Sequence, residues 1–119
     1  MLFRSVFFTS DNGPWTWMGA ETGGSAGLLR DGKGSTWEGG MRVPGIAWWP
    51  GTVPAGTSTR AITAMCDVLP TLAALASAAL PTGRRLDGVD QSPILKGDPK
   101  THPRDTFLYH RGFALEAVR

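Results

Sequence analysis

The 119-residue sequence predicts an α/β fold, and three observations support this prediction. Two continuous apolar runs, residues 2–9 and 45–49, are typical of strands covered on both faces, as in parallel sheets. Residues 67–79 carry apolar side chains at helical spacing, which predicts a helix with one buried face. The 16 glycines and 9 prolines are too many for a helix bundle, since both residue types weaken helix interiors. We therefore expect a mixed sheet with a flanking helix.

The helix predicted over residues 67–79 begins at Asp67, a residue type that commonly caps helix N-termini. Pro70 falls in the first turn, where its missing N–H costs no hydrogen bond, and Pro81 is expected to end the helix. The face expected to be buried consists of Leu69, Leu72, Leu75, Ala76 and Ala79. This face should pack against the sheet.

The C-terminal part of the chain is polar and rich in turns from residue 83 to residue 103, with one helical turn expected at residues 92–95. Two short strands, residues 106–109 and 113–118, flank Arg111-Gly112 and predict an antiparallel hairpin. We divide the chain into residues 1–100, part of one α/β domain, and residues 101–119, the start of a small antiparallel sheet.

Composition and charge exclude several functions. The net charge is +2, and basic and acidic residues are interspersed and not clustered, so we expect no nucleic-acid partner. No apolar run has the length of a membrane span. The single cysteine, Cys66, excludes an internal disulfide, and its apolar neighbours predict a buried, inert thiol.

A polar, glycine-rich loop joins the two predicted strands, from Asp11 to Pro44. Loops of this length inside compact domains are uncommon and usually indicate function or disorder. Three tryptophans and two leucines scattered through the loop argue against disorder. We therefore expect the function to lie in this loop.

Two neighbouring oxygen-bearing side chains, Asp11 and Asn12, open the loop directly after the first strand. Carboxylate and amide oxygens are ligands for hard cations such as Ca²⁺, and ligands of open α/β sheets gather beyond the carboxyl ends of strands. Asp-Asn-Gly is also an ordinary turn sequence, and these residues alone favour the turn.

Lys33 lies between two glycines, which allow the backbone to approach a ligand and place an ammonium group beside an oxyanion. A solvated lysine at a turn is the plainer interpretation of this residue alone. Residues 27–33 also match a phosphate-binding P-loop up to the lysine, but Gly34 replaces the Ser/Thr that such loops require. No strand leads into Gly27, and the glycines after Glu38 disfavour a following helix, so we reject the P-loop.

The order of these motifs resembles the sulfatase family, most closely its arylsulfatase and N-acetylgalactosamine-6-sulfatase branch. The resemblance rests on Asp-Asn-Gly after a strand, GKGSTWEGGMRVP at residues 32–44 and IAWWPG at residues 46–51. It continues through DVLPTLA at residues 67–73 and LDGVD at residues 86–90 and reaches FLY at residues 107–109 and AVR at residues 117–119, so it covers nearly the whole chain. Each motif is modest, but their shared order is specific.

The resemblance implies an alkaline-phosphatase-like sandwich that hydrolyses aryl or sugar sulfates with a formylglycine nucleophile and a bound Ca²⁺. Asp11 and Asn12 would be two calcium ligands, and Lys33 would bind a sulfate oxygen and stabilise charge. Glu38, Gly39, Gly40 and Arg42 would shape and brace the loop rather than contact substrate. Trp15, Trp17 and His110 are candidates for a substrate pocket, although packing or solvation explains them equally well.

The nucleophile motif, Cys/Ser-x-Pro-x-Arg, is absent from the 119 residues, as are the acidic partners of the calcium site. We therefore interpret the chain as the C-terminal part of a sulfatase catalytic domain that alone hydrolyses no sulfate ester. The resemblance implies a lysosomal, secreted or periplasmic location for the full-length protein. Two alternatives remain: a phosphatase or phosphodiesterase of the same superfamily, and a non-catalytic calcium- or glycan-binding module.

Overall fold

The computed structural model describes residues 5–18, 20–98 and 100–119. Its elements are short, and helices and strands both occur, so the predicted α/β class is confirmed. The elements are β1 (Val6–Thr9), α1 (Ala20–Gly23), α2 (Glu38–Met41), β2 (Gly45–Trp48), α3 (Val68–Leu75), α4 (Ser92–Leu95), β3 (Leu108–Arg111) and β4 (Ala114–Val118), with 3₁₀ turns at Thr16–Met18 and Met65–Asp67. None of the described helices is long and apolar enough to cross a bilayer.

The described residues form two compact units. The first, called here the loop unit, comprises Val6–Ala47 and Leu108–Arg119. The second, called here the helix unit, contains Trp48–Phe107. Strand β1 pairs with β2, and β3 pairs with β4, in two separate two-stranded sheets. The predicted division at residues 100 and 101, and the packing of the helix on a mixed sheet, stay predictions.

Both predicted strands that flank the loop are present, but they are not buried. The strand expected at residues 2–9 is observed over Val6–Thr9, and its predicted residues 2–4 lie outside the described residues. All four β1 side chains are exposed, with Phe8 at 60%. The prediction of a strand covered on both faces is therefore wrong for this chain. A two-stranded sheet is too small to hold a covering layer on each face.

Helix α3 confirms the position of the predicted helix but corrects its end, its N-cap and its buried face. The helix stops at Leu75 rather than at residue 79. Ser77 adopts a left-handed φ of 53°, and the amides of Ser77 and Ala78 donate to the carbonyls of Ala74 and Ala73 at 3.2 and 2.8 Å. These two bonds form a Schellman motif, which ends the helix before Pro81.

The buried side of α3 is polar rather than aliphatic. Leu69 and Leu72, expected to be buried, are 53% and 40% exposed. Pro70 and Thr71 are buried instead. The Thr71 hydroxyl donates to the carbonyl of Asp67 at 2.6 Å and accepts from the amide of residue 91 at 2.9 Å, so hydrogen bonds hold this side of the helix.

The C-terminal hairpin confirms the prediction, with β3 shifted by two residues and β4 beginning one residue later than expected. Strands β3 and β4 are antiparallel and are joined by Gly112-Phe113. Gly112 has a φ of 58°, as the first central residue of a type II′ hairpin turn requires. The register places Tyr109 opposite Ala117 and the next residue opposite Leu115, so Glu116 forms a bulge. The predicted helical turn at residues 92–95 is also present as α4.

Candidate functional site

A cleft of about 750 Å³ opens in the loop unit, at the end of β1. Its lining includes Asp11, Asn12 and Lys33, which the sequence analysis assigned to one site although 20 residues separate the last two. The described residues that line it are Ser10, Asp11, Asn12, Gly13, Pro14, Trp15, Gly23, Gly24, Ser25, Ala26, Gly27, Leu29, Lys33, Arg42, Val43 and Pro44.

Backbone hydrogen bonds bring the distant parts of the loop together. The amide of Lys33 donates to the carbonyl of Pro14 at 2.8 Å, which fixes the lysine beside the segment that carries the carboxylate and the amide. The amide of Gly13 donates to the carbonyl of Gly40 at 2.9 Å. Main-chain atoms therefore set the geometry of the cleft, and the side chains on its lining are left to contact a ligand.

Buried glycines allow these backbone segments to touch. A Cβ atom on Gly13 would lie 1.8 Å from the carbonyl oxygen of Gly39, and one on Gly39 would lie 2.1 Å from that of Asp31. Real Cβ atoms do not approach oxygen so closely, so a side chain at either position forces the backbone apart. The amide of Gly39 also donates to the carbonyl of Arg30 at 2.8 Å. Close packing of the backbone therefore explains why glycine occupies positions 13 and 39.

The loop contains short helices that the sequence analysis did not predict. Residues 20–23 form α1, and residues 38–41 form α2. The expectation that the glycines after Glu38 disfavour a helix is wrong for α2, although it lasts a single turn. No described strand leads into Gly27, which agrees with the rejection of a P-loop.

Asp11 and Asn12 can supply two oxygen ligands to a hard cation. Asp11 is exposed and Asn12 is half-buried, and both line the cleft. The Ser10 hydroxyl donates to the carbonyl oxygen of Asn12 at 3.0 Å and orders this turn. The described residues contain no group of three or more His, Cys, Asp or Glu side chains that could hold a metal ion. The pair fits part of a calcium site, which needs six to eight oxygens in all.

Lys33 has an exposed side chain whose ammonium nitrogen lies 5.2 Å from the ring centroid of Trp15. This distance is within the range of a cation–π interaction, so the ring restricts where the ammonium can lie. Trp15 lines the cleft and is 53% exposed. The other two residues proposed for a substrate pocket, Trp17 and His110, are exposed and do not line this cleft.

Glu38, on α2, ties the loop to the C-terminal hairpin. One carboxylate oxygen accepts from the Tyr109 hydroxyl at 2.9 Å. The other accepts from Arg42 at 3.1 Å and from Arg119. Partial burial alone raises the pKa of Glu38, but hydrogen bonds from Arg119, Tyr109 and Arg42 outweigh it and hold the pKa below its ordinary value. Glu38 is therefore an ionised brace, as the motif predicted for this part of the loop.

Tyr109 and Arg119 were not assigned to this brace by the sequence analysis. They lie 71 and 81 residues from Glu38, and no local pattern links positions so far apart. Tyr109 is the buried hydrophobic side chain of the described residues, at 5% exposure. The side-chain alternation of β3 could have suggested that Tyr109 faces inward while His110 faces outward.

In the helix unit, Asp67 is the centre of a polar network rather than the expected cap of α3. It is 2% exposed, and its side chain makes no capping bond to that helix. The carboxylate pairs with Arg104 and accepts from the Gln91 side-chain amide at 3.0 Å. The amides of Ala64 and Val89 also donate to it, at 2.8 and 2.9 Å.

These donors outweigh the effect of burial on Asp67. Burial alone raises the pKa of this carboxyl, but the bonds from Arg104 and the neighbouring amides lower it overall. Cys66, expected to be buried, is exposed, as is its neighbour Met65; both lie in the 3₁₀ turn that precedes α3. Partial burial of the sulfur and the neighbouring Asp67 carboxylate raise the pKa of the Cys66 thiol, which reduces its reactivity.

A family model identifies the family to which the chain belongs. Residues 4–78, more than half of the chain, match the family model Sulfatase. The chain belongs to the sulfatase family. The predicted resemblance is confirmed, and the matched residues include the cleft and α3.

Individual sulfatases are similar over almost the whole chain. Arylsulfatase A of Bos taurus is 52% identical over 111 residues, which are 93% of this chain and 21% of that protein. N-acetylgalactosamine-6-sulfatase of Canis lupus familiaris is 45% identical over 113 residues, 95% of this chain and 21% of that protein. This sulfatase chain therefore spans about a fifth of the length of the curated relatives that it matches.

A solved structure is similar as well. The crystal structure of Ps i-CgsB in complex with k-i-k-neocarrahexaose superposes with a TM-score of 0.70 at 38% identity. The similarity covers 90% of this chain and 23% of that one. A segment with a similar fold thus occurs inside a longer protein. The predicted alkaline-phosphatase-like sandwich stays a prediction.

Proposed function

We propose that this chain is part of a sulfatase that hydrolyses sulfate esters, and that its cleft supplies two Ca²⁺ ligands and one sulfate contact. Asp11 and Asn12 hold the cation through their side-chain oxygens, and Lys33 binds a sulfate oxygen. The observation that carries the proposal is the hydrogen bond from the Lys33 amide to the Pro14 carbonyl, which holds the lysine on the same cleft as the oxygen pair.

The charges of these residues suit the cleavage of a sulfate ester. Negative charge spreads over the sulfuryl oxygens and the leaving oxygen as the S–O bond breaks. A fixed ammonium stabilises this charge most effectively when it is already in place, because no reorganisation is then needed during the reaction. The Trp15 ring and the backbone bond to Pro14 pre-organise Lys33 in this way.

The proposed Ca²⁺ would polarise the sulfate and offset its charge. Two oxygen donors are too few to hold it, so other parts of the protein must complete the ligand set. The proposed formylglycine nucleophile also lies outside the 119 residues, since no Cys/Ser-x-Pro-x-Arg motif occurs in them. The chain alone is therefore expected to be inactive, and the 119 residues contribute binding and charge.

We propose aryl or sugar sulfates as the substrate class. The names of the similar proteins support both kinds of leaving group: arylsulfatase A, and a sulfatase that acts on N-acetylgalactosamine 6-sulfate by its name. The similar solved structure holds an oligosaccharide, k-i-k-neocarrahexaose. An exposed tryptophan on the lining, Trp15, offers an apolar face that either an aryl ring or a sugar can contact.

A chimera tests the proposal directly. In it, this chain replaces the matching segment of arylsulfatase A of Bos taurus, which is 52% identical, and hydrolysis of 4-nitrocatechol sulfate is measured. We expect the chimera to be active and Lys33→Ala to lower kcat/KM by roughly 100- to 1,000-fold, as loss of one pre-organised charge contact does.

Lys96→Ala is the matched control, because Lys96 belongs to the helix unit and does not line the cleft. It should leave kcat/KM unchanged. A folded chimera in which Lys33→Ala and Lys96→Ala have the same activity would overturn the role of Lys33. A folded chimera without any turnover would overturn the proposed function of the cleft.

A further inference from the structure

The cleft contains a second cation that the proposed function does not use. Arg42 lines the same cleft as Lys33, directly after helix α2. Its side chain is 50% exposed, and one terminal nitrogen, Nη1, donates to Glu38. A guanidinium has five N–H donors in a fixed fork, and among the described residues Glu38 is the hydrogen-bond partner of the Arg42 side chain, so the other donors can bind a ligand.

Glu38 does not cancel the charge of Arg42. The same carboxylate also pairs with Arg119, so the cluster of one glutamate and two arginines has a net charge of +1. Tyr109 adds a neutral donor to this carboxylate and no further negative charge. Glu38 therefore positions Arg42 and leaves positive charge at the edge of the cleft.

The described lining of the cleft has one cationic side chain more than a single sulfate ester requires. Its lining contains Lys33 and Arg42 but one carboxylate, Asp11, which the proposed function assigns to the cation. A sulfate monoester carries one negative charge, which Lys33 already meets. A cavity of about 750 Å³ lies in the size range of sites for whole small-molecule ligands, well above what one sulfate group needs.

We propose that Arg42 is a specificity-determining residue that binds a second anionic group of the substrate, a sulfate or carboxylate on the sugar ring next to the one that is cleaved. This inference rests on the proposed function of the cleft. The planar fork of arginine suits such groups, because it donates two parallel hydrogen bonds to one oxyanion. The preferred substrate class is therefore a sugar with more than one anionic group.

Inhibition of the chimera described above separates this inference from the proposed function. The probes are a galactose-based disaccharide with one sulfate on each ring and the same disaccharide with a single sulfate. Each competes with 4-nitrocatechol sulfate, and the ratio of the two inhibition constants measures the value of the second sulfate. We expect the disulfated probe to bind about 10-fold more tightly, as a charge-assisted hydrogen bond at a half-exposed site allows.

Arg42→Gln should bring this ratio close to one, and Arg42→Lys should give an intermediate ratio because the charge remains and the fork is lost. Arg30→Gln is the control: Arg30 stacks 3.8 Å above Trp37 and does not line the cleft, so the ratio should stay at the parent value. A ratio that Arg42→Gln leaves unchanged, in a chimera that is active and sensitive to Lys33→Ala, would overturn the inference while the proposed function stands. A folded parent chimera, with both Lys33 and Arg42 intact, that shows no turnover would overturn the inference and the proposed function together.

Discussion

The cleft of the loop unit and the Asp67 network of the helix unit differ in whether their polar side chains are exposed or hydrogen-bonded and buried. In the cleft, main-chain bonds such as that from Lys33 to Pro14 carry the structure, and the polar side chains remain exposed. In the network, the side chains of Arg104 and Gln91 both donate to the carboxylate of Asp67, and Asp67 and Gln91 are buried. A buried carboxylate that accepts several hydrogen bonds stabilises a fold, whereas an exposed charge on a rigid backbone is free to bind a ligand.

The strongest test of this comparison removes the centre of the network. Asp67→Ala should destabilise the chimera by about 3–5 kcal/mol, because it leaves the guanidinium of Arg104 buried without its partner. Thermal melting measures the loss. Asp105→Ala, at an exposed aspartate of the same unit, should leave the melting temperature nearly unchanged. Equal melting temperatures for the two variants would show that the network does not stabilise the unit.

The next test adds one methyl group to the backbone contact beneath the cleft. Gly13→Ala places a Cβ 1.8 Å from the carbonyl oxygen of Gly39, and we expect a cost of about 3 kcal/mol or more together with loss of turnover. Gly45→Ala is the control, since among the described residues beyond its chain neighbours no atom lies within 4 Å of the position that its methyl group would take, and its φ is not in the left-handed region. Turnover of 4-nitrocatechol sulfate and melting are both measured. An active Gly13→Ala chimera would contradict the glycine-packed cleft.

The pH dependence of stability tests whether the Asp67 network is ionised in the folded chain. Because the pKa of Asp67 is lowered in the folded chain, its contribution is complete above its ordinary value of 3.8 and is lost as the pH falls through the folded value. The melting temperature of the chimera should therefore exceed that of Asp67→Asn at pH 6, and the difference should shrink as the pH falls below about 4. A difference that stays constant down to about pH 2 would contradict the ionised network.

The smallest expected effect concerns the ring beside Lys33. Trp15→Ala removes a cation–π contact worth about 0.5–1 kcal/mol at an exposed site, so kcat/KM should fall by roughly two- to fivefold. Trp17 is 79% exposed and does not line the cleft, so Trp17→Ala should have no effect on the KM of any substrate. Equal kinetics for the two variants would show that Trp15 neither positions the lysine nor contacts substrate.

The sequence predicted what depends on local pattern and motif order. The strands around residues 6–9 and 45–48, the helix that begins near Asp67, the hairpin and the family follow from periodicity, turn residues and the motif order. The end of α3 did not follow, because Ser77 adopts a left-handed conformation that glycine usually occupies. A serine at this position gives no sign in the sequence that the helix ends before residue 79.

Long-range partners were the other part that the sequence did not reveal. Arg104 reaches Asp67 across 37 residues, and Arg119 reaches Glu38 across 81. Neither pair has a spacing that a helix or strand repeats, so pattern analysis cannot distinguish these arginines from solvated ones. The same limit led to the assignment of Asp67 as a helix cap and of Cys66 as a buried thiol.

The central claim is that Asp11, Asn12 and Lys33 bind one sulfate and its cation together. The most direct measurement is a crystal structure of the chimera grown with Ca²⁺ and soaked with 4-nitrocatechol sulfate. We predict calcium within about 2.3–2.6 Å of a side-chain oxygen of both Asp11 and Asn12, and a sulfate oxygen within hydrogen-bond distance of Lys33 Nζ. Calcium on other residues, or a sulfate out of reach of the lysine, would contradict the account.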